Sequence, residues 1–208
     1  MPGEAFNRRP IRARSAEWAK RMAASLAASS ITPDQISLTS IAFAGLGAFV
    51  LAFINDAASM LFCALAIQGR LLCNLFDGMV AVEHGKGSPL GPMFNEFPDR
   101  IADTVLIAAL GYAAGYPALG WIGAVLALMT AYIRAFGGSL GLPQDFRGPM
   151  AKAHRMAVMT AGCVIGAVES AMHGSRYALL TALLVIVVGS IFTCINRARV
   201  IAVQLRQV

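Results

Sequence analysis

The chain has 208 residues, 57% of them hydrophobic and 13% charged, with a mean hydropathy of +0.65 and a formal net charge of +6. A soluble domain carries about a quarter charged residues, so this composition argues against one and reads as a polytopic membrane protein. Cys63, Cys73, Cys163 and Cys194 fall inside apolar runs without CxxC or CxxH spacing, which excludes a disulfide framework or zinc site and makes them buried thiols. The basic balance needs no nucleic acid to explain it, because nothing in the chain resembles a base-reading module.

The N-terminus MPGEAFNRRPIRARSAEW has no apolar core of the length a secretory signal requires. Next, SAEWAKRMAASLAASS places Trp18, Ala19, Met22 and Leu26 on one helical face, with Lys20 and Arg21 elsewhere and Arg8, Arg9, Arg12 and Arg14 upstream. That pattern predicts a basic amphipathic helix lying in the membrane interface, so residues 1–30 form a tail and juxtamembrane helix. Residues 31–208 then form an all-α transmembrane domain of six spans, near 35–55, 57–83, 92–114, 116–139, 152–172 and 176–200. Turn-rich loops, among them NDAAS, GYPAL, GLPQDFRGP and HGS, punctuate them. Six spans put both termini on one side, where the N-terminal cations, Lys86, Arg147, Lys152, Arg155, Arg197, Arg199 and Arg206 collect against little beyond Arg176. The positive-inside rule makes that side cytoplasmic, as in a bacterial inner membrane.

Against this apolar background the stretch NLFDGMVAVEHGKGSPLGPMFNEFPDR, Asn74 to Arg100, is conspicuously polar. Arg70, Asn74, Asp77 and Ala81 share one face of the second span, and Asn95, Asp99 and Asp103 share one face of the third. One charged side chain at mid-bilayer costs about 3 kcal/mol on insertion scales, so such residues must face a wet cavity, one another or a cation. Clustered carboxylates and amides are hard oxygen donors, which suit Mg²⁺, Mn²⁺ or Ca²⁺ rather than zinc. The alternative is a buried polar network that merely locks two helices together. Gly78 lets a ligand approach the backbone, Gly85, Gly87 and Gly91 make the connecting loop pliable, and Pro98 is expected to kink the third span.

The stretch resembles the signature of the CDP-alcohol phosphotransferases, D-x2-D-G-x2-A-R-x8-G-x3-D-x3-D. Here it reads Asn74, Asp77, Gly78, Ala81, Val82, Gly91, Asn95 and Asp99; every spacing matches over twenty-six positions and five of the eight residues are kept. The segment ITPDQISLTS is similar to the family's threonine–proline start of the first span. The resemblance implies transfer of a substituted phosphate from a CDP-linked donor to an alcohol, with release of CMP. With CDP-diacylglycerol as donor, this is phospholipid synthesis at the lipid bilayer. It also implies Mg²⁺ or Mn²⁺ on Asn74, Asp77, Asn95 and Asp99, with Asp99 as catalytic base. Asn74, Asp77, Gly78, Ala81 and Gly91 would contact the CDP donor. Family members pair as homodimers, although no interface is legible here.

The departures divide the readings. Asparagine at 74 and 95 removes two negative charges from the presumed metal cage, which Glu83, Glu96 and Asp103 would partly restore. Val82 stands where the family has a phosphate-directed arginine, a role open to Arg70, Lys86 or Arg100. Downstream, Arg134, Lys152 and Arg155, beside Arg147 and His154, suit a small alcohol acceptor bearing a phosphate, such as glycerol 3-phosphate or an inositol phosphate. The same charges would also obey the positive-inside rule with no pocket at all. A catalytically weakened scaffold that binds a CDP-lipid is the competing class. A transporter is a third, disfavoured by the lack of an inverted repeat.

Overall fold

Seven α-helices make up most of residues 12–206, which the computed structural model describes, and no strand occurs among them. Arg8 and Arg9 of the expected basic tail lie outside the described residues. After a 3-10 turn at Arg12–Ser15 come α1 (Glu17–Ala28), α2 (Pro33–Phe53), α3 (Ala57–Glu83), α4 (Gly91–Ala113), α5 (Pro117–Ser139), α6 (Lys152–His173) and α7 (Tyr177–Leu205).

Local chemistry sets the helix starts. Thr32 Oγ1 accepts from Gln35 N while Gln35 Oε1 accepts from Thr32 N, closing a capping box with Pro33 in the first turn of α2. Asp56 and Ser59 repeat the device at α3. Five helices, α2, α3, α5, α6 and α7, are long and apolar enough to cross a membrane, a multi-pass pattern. α4 is as long as α5 but is not among them, because any stretch of it long enough to cross contains Glu96, Asp99, Arg100 and Asp103. Pro98 lies in the interior of α4, within one continuous helix.

α4 packs between α2 and α5, α3 lies against α2 and α6, and α7 closes on α5 and α6. Large side chains such as Phe49, Leu65, Trp121 and Phe192 point outward, while small residues set the closest approaches between helices. That is how helices pack when lipid is as apolar as the core. A Cβ added at Gly111 would lie 2.5 Å from Gly120 Cα, and one at Gly162 would lie 2.5 Å from Ala182 Cβ. The face of α1 divides. Ala19 and Ala23 are buried against Ile36, Leu75, Phe76 and Met79, while Trp18 and Met22 stay half-exposed, Trp18 meeting Phe76 edge-on.

The glycine contact between α4 and α5 carries a prediction. Gly111→Ala, which drives a Cβ into backbone, should cost about 1–3 kcal/mol of stability. Gly45→Ala, whose Cβ meets nothing within 4 Å, should cost almost none. Thermal unfolding midpoints in detergent would compare the two.

Candidate active site

The polar faces of α3 and α4 meet, as their spacing required, and α6 completes them. Arg70 Nη2 on α3 donates to Asp103 Oδ1 at 2.8 Å and to Asp99 Oδ1 at 3.3 Å, both on α4. Arg155 Nη2 on α6 donates to the other Asp103 oxygen at 2.7 Å, and Lys152 Nζ, one turn earlier, contacts Asp99 Oδ1. The result is an alternating series, Arg155, Asp103, Arg70, Asp99, Lys152, laced across three helices. Helical repeat explains it: Asp99 and Asp103 are four residues apart and Lys152 and Arg155 three, so each pair lies on one face. Asn74 Nδ2 adds a third donor to Asp99 Oδ1, at 3.0 Å. Asp99 Oδ2 lies 3.9 Å from Arg100 Nη2. Asp77, one turn along α3 from Asn74, accepts from Ser37 Oγ of α2 at 2.6 Å.

The predicted residues therefore divide. Asn74, Asp77, Asp99 and Lys152 come together. Gly78 and Ala81 are half-buried beside them, Gly91 opens α4, and Asn95 is exposed one turn before Asp99. Val82 faces outward at 60% exposure. Arg155, expected at the acceptor, is elsewhere engaged. It is 1% exposed, and Nη1 donates to Thr130 Oγ1 and Met150 O while Nη2 holds Asp103. A guanidinium so occupied is a brace between α5 and α6. Its Nε, like that of Arg70, is buried with no hydrogen-bond partner, which fixes both arginines by their ion pairs rather than by full satisfaction.

None of the three acids expected to restore charge at the cage does so. Asp103 is spent on two arginines, Glu96 turns to Arg134 and Arg100, and Glu83 is exposed at the end of α3. The substitutes named for the missing arginine are also committed: Arg70 to Asp99 and Asp103, Lys86 to Ser29 O at 2.9 Å, and Arg100 to Glu96. Among the described residues, no three His, Cys, Asp or Glu side chains group to hold a metal ion. The donor set is two carboxylates and two carboxamides. All are hard oxygen donors, the chemistry that suits a divalent cation, and Asp99 already faces an ammonium and a guanidinium.

Two features were missed in the sequence. Ser37, a hydroxyl one turn inside an apolar helix, orients Asp77. Arg197, read as part of a basic tail, is 5% exposed; its Nη1 donates to Thr130 O at 2.6 Å and its Nε to Arg147 O at 2.9 Å. Arg134, on α5 one turn beyond Thr130, donates to Gln144 at 2.8 Å, contacts Glu96 and stacks over Phe146. Arg134, Arg147 and Arg197 thus line the connection between α5 and α6. There burial pushes Asp145 up, but the hydrogen bonds and charge of Arg147 outweigh it and hold the carboxyl below its ordinary range. Between α3 and α6 lies an open, mainly apolar groove of about 520 Å³, lined by Leu71, Ala153, Ala157 and Ala161 among others.

No family model matches the chain. Its relatives include the archaetidylinositol phosphate synthase of Aeropyrum pernix, 34% identical over 160 residues, which are 74% of this chain and 75% of that protein. The bifunctional IPC transferase and DIPP synthase of Rubrobacter xylanophilus is 35% identical over 153 residues, covering 68% of this chain. The chain spans only 33% of that relative's length. Among solved structures, phosphatidylinositol phosphate synthase of Mycobacterium tuberculosis with CDP-DAG bound superposes with a TM-score of 0.76 at 22% identity, over 89% of this chain and 94% of that one. The same protein with manganese and citrate gives 0.73 at 21% identity, over 88% of each chain. At these identities the likeness shows a shared fold.

Arg155→Leu would strand Asp103 with one cation in a dry setting, which should cost about 3–5 kcal/mol. Unfolding midpoints in detergent should show that loss. A side chain acting only on an acceptor would instead alter acceptor KM and leave stability intact.

Proposed function

Because this chain belongs to the CDP-alcohol phosphotransferase family, we propose that it moves a phosphatidyl group from CDP-diacylglycerol to a hydroxyl of an inositol phosphate, releasing CMP. The observation that carries the reading is Asp99. Arg70, Asn74 and Lys152 all hold its Oδ1, which leaves Oδ2 to take a proton. The acceptor oxygen attacks the phosphatidyl phosphorus, the bond from that phosphorus to the CMP oxygen breaks, and the acceptor's proton passes to Asp99. Lys152 stabilises charge on the diphosphate, and Gly78 and Ala81 leave room for the nucleotide against α3. Asp77, held by Ser37, together with Asn74, Asn95 and Asp99, would bind one Mg²⁺ or Mn²⁺. When bound, the ion neutralises the diphosphate and the departing CMP. The solved relative with manganese supports a divalent ion.

The groove between α3 and α6 is mainly apolar, and its lining residues Leu71 and Ala153 follow Arg70 and Lys152 in the chain, so it suits the donor's acyl chains. Arg134, with Arg147 and Arg197 near it, would offer positive charge to an acceptor phosphate. The relatives' names, an archaetidylinositol phosphate synthase and a phosphatidylinositol phosphate synthase, support a phosphate-bearing inositol. In the bilayer, α4 is a sixth span, its acids covered by α3 and α6, and α1 lies in the interface with Trp18 and Met22 toward lipid. The cations at the cluster end support a cytoplasmic site and cytoplasmic termini by the positive-inside rule.

A weakened catalyst that only binds the CDP-lipid is favoured by Asn74 and Asn95. One assay separates the two: CMP release by purified protein with CDP-diacylglycerol, Mn²⁺ and inositol phosphate. Wild type should release CMP only with acceptor and metal, and Asp77→Ala and Asp99→Asn should lower the rate at least a hundredfold. CDP-lipid binding without CMP from any acceptor would establish the scaffold instead. Titration of Mn²⁺ should also saturate at one ion per chain; two ions would refute the single-cation cage.

A further inference from the structure

Arg134 already has an anion. Its Nη2 contacts Glu96 Oε1, its Nη1 donates to Gln144 at 2.8 Å, and its guanidinium carbon lies 5.0 Å from the Phe146 ring centroid. The arginine side chain is 10% exposed, whereas that of Glu96 is 40% exposed and has a second cation, Arg100, at 3.4 Å. Glu96 can therefore leave Arg134 without becoming an isolated charge, since Arg100 and water take over its oxygens. Arg134, fixed by Gln144 and Phe146, stays where it is. Any ligand anion that uses Arg134 must compete with a carboxylate that belongs to the chain. Glu96 lies on α4 between Asn95 and Asp99, so the competition occurs within one turn of the proton acceptor.

We propose that Glu96 is a specificity-determining residue, an internal anion that occupies Arg134 until an acceptor phosphate displaces it toward Arg100. This rests on the phosphate-bearing acceptor proposed above. A dianionic phosphate outcompetes one carboxylate for a guanidinium, because it brings more charge and further acceptor oxygens. A neutral alcohol brings neither and leaves Arg134 paired. The ion pair thus raises the threshold for acceptor binding and sorts acceptors by charge, since discrimination is a difference between affinities. The carboxylate also keeps a buried-edge arginine from standing unpaired when no acceptor is present.

The test uses the full chain in lipid nanodiscs, as wild type, Glu96→Gln and Glu96→Asp. Inorganic phosphate binding would be read by calorimetry, and CMP release would be followed against inositol phosphate. Glu96→Gln keeps the shape and removes the charge, so phosphate affinity should rise about tenfold, the scale of one charge-assisted contact. The KM for inositol phosphate should fall in parallel, with the change in KM rather than kcat. Glu96→Asp keeps the charge and should bind phosphate as weakly as wild type or nearly so. Unchanged or weaker phosphate binding by Glu96→Gln, with the helical content of wild type, would overturn the proposal. Tighter phosphate binding without CMP release from any phosphorylated acceptor would uphold the role of Glu96 and refute the proposed acceptor.

Discussion

Charge neutrality inside an apolar bundle is the constraint on which this structure depends. Isolated charges in such a setting cost several kcal/mol each, and the fold meets that cost at two carboxylates by giving each of them cations on both sides. Asp103 stands between Arg70 and Arg155, and Asp99 between Arg70 and Lys152. Each of these contacts joins two different helices, so the arrangement that neutralises the charges also fixes α3, α4 and α6 against one another. Small residues perform the complementary task away from the charges, where Gly111 and Gly120 hold α4 against α5 at a separation no side chain permits.

The cluster is also a statement about chemistry. A site built to grip a diphosphate needs cations, and a site that accepts a proton needs an oriented carboxylate. In the proposed reaction the same side chains would serve both needs. Lys152 and Arg70 orient Asp99 through one oxygen, and the positive charge they bring faces the region of Asp77 and Asn74. Asparagine at two of the family's acidic positions fits this balance, because a protein ammonium already stands at Asp99.

Much of this was legible in the sequence, where helical periodicity governs. The steps linking Arg70, Asn74 and Asp77, and those linking Asn95, Asp99 and Asp103, put the right residues on facing sides of α3 and α4. The fixed spacing of the signature identified the family despite three departures. Partner choice across helices was not legible. Arg155 and Lys152 are three residues apart and chemically alike, yet one is a buried brace and the other reaches Asp99; only the depth of α6 separates them. Glu96 beside Asn95 looked like a spare acid for the cage, but it sits about 100° around the helix, which turns it to α5. Arg197 read as a tail charge because nothing in a lone cation near a C-terminus reveals that Thr130 and Arg147 offer it carbonyls. Ser37 carried a weak signal, a hydroxyl at the start of an apolar helix, which a packing hydroxyl carries equally well.

The alternating series bears on how such a sequence can drift. The series holds three cations and two carboxylates, and its Arg155–Asp103 end lies where water does not reach, so loss of either partner there leaves the other's charge buried without that counter-ion. Aspartate at position 74 would add a negative charge beside Asp99, where Asn74 now donates a hydrogen bond, and would turn that contact into a repulsion. Asn74 and Lys152 both donate to Asp99 Oδ1, so a change at either position is felt by the other through that one oxygen.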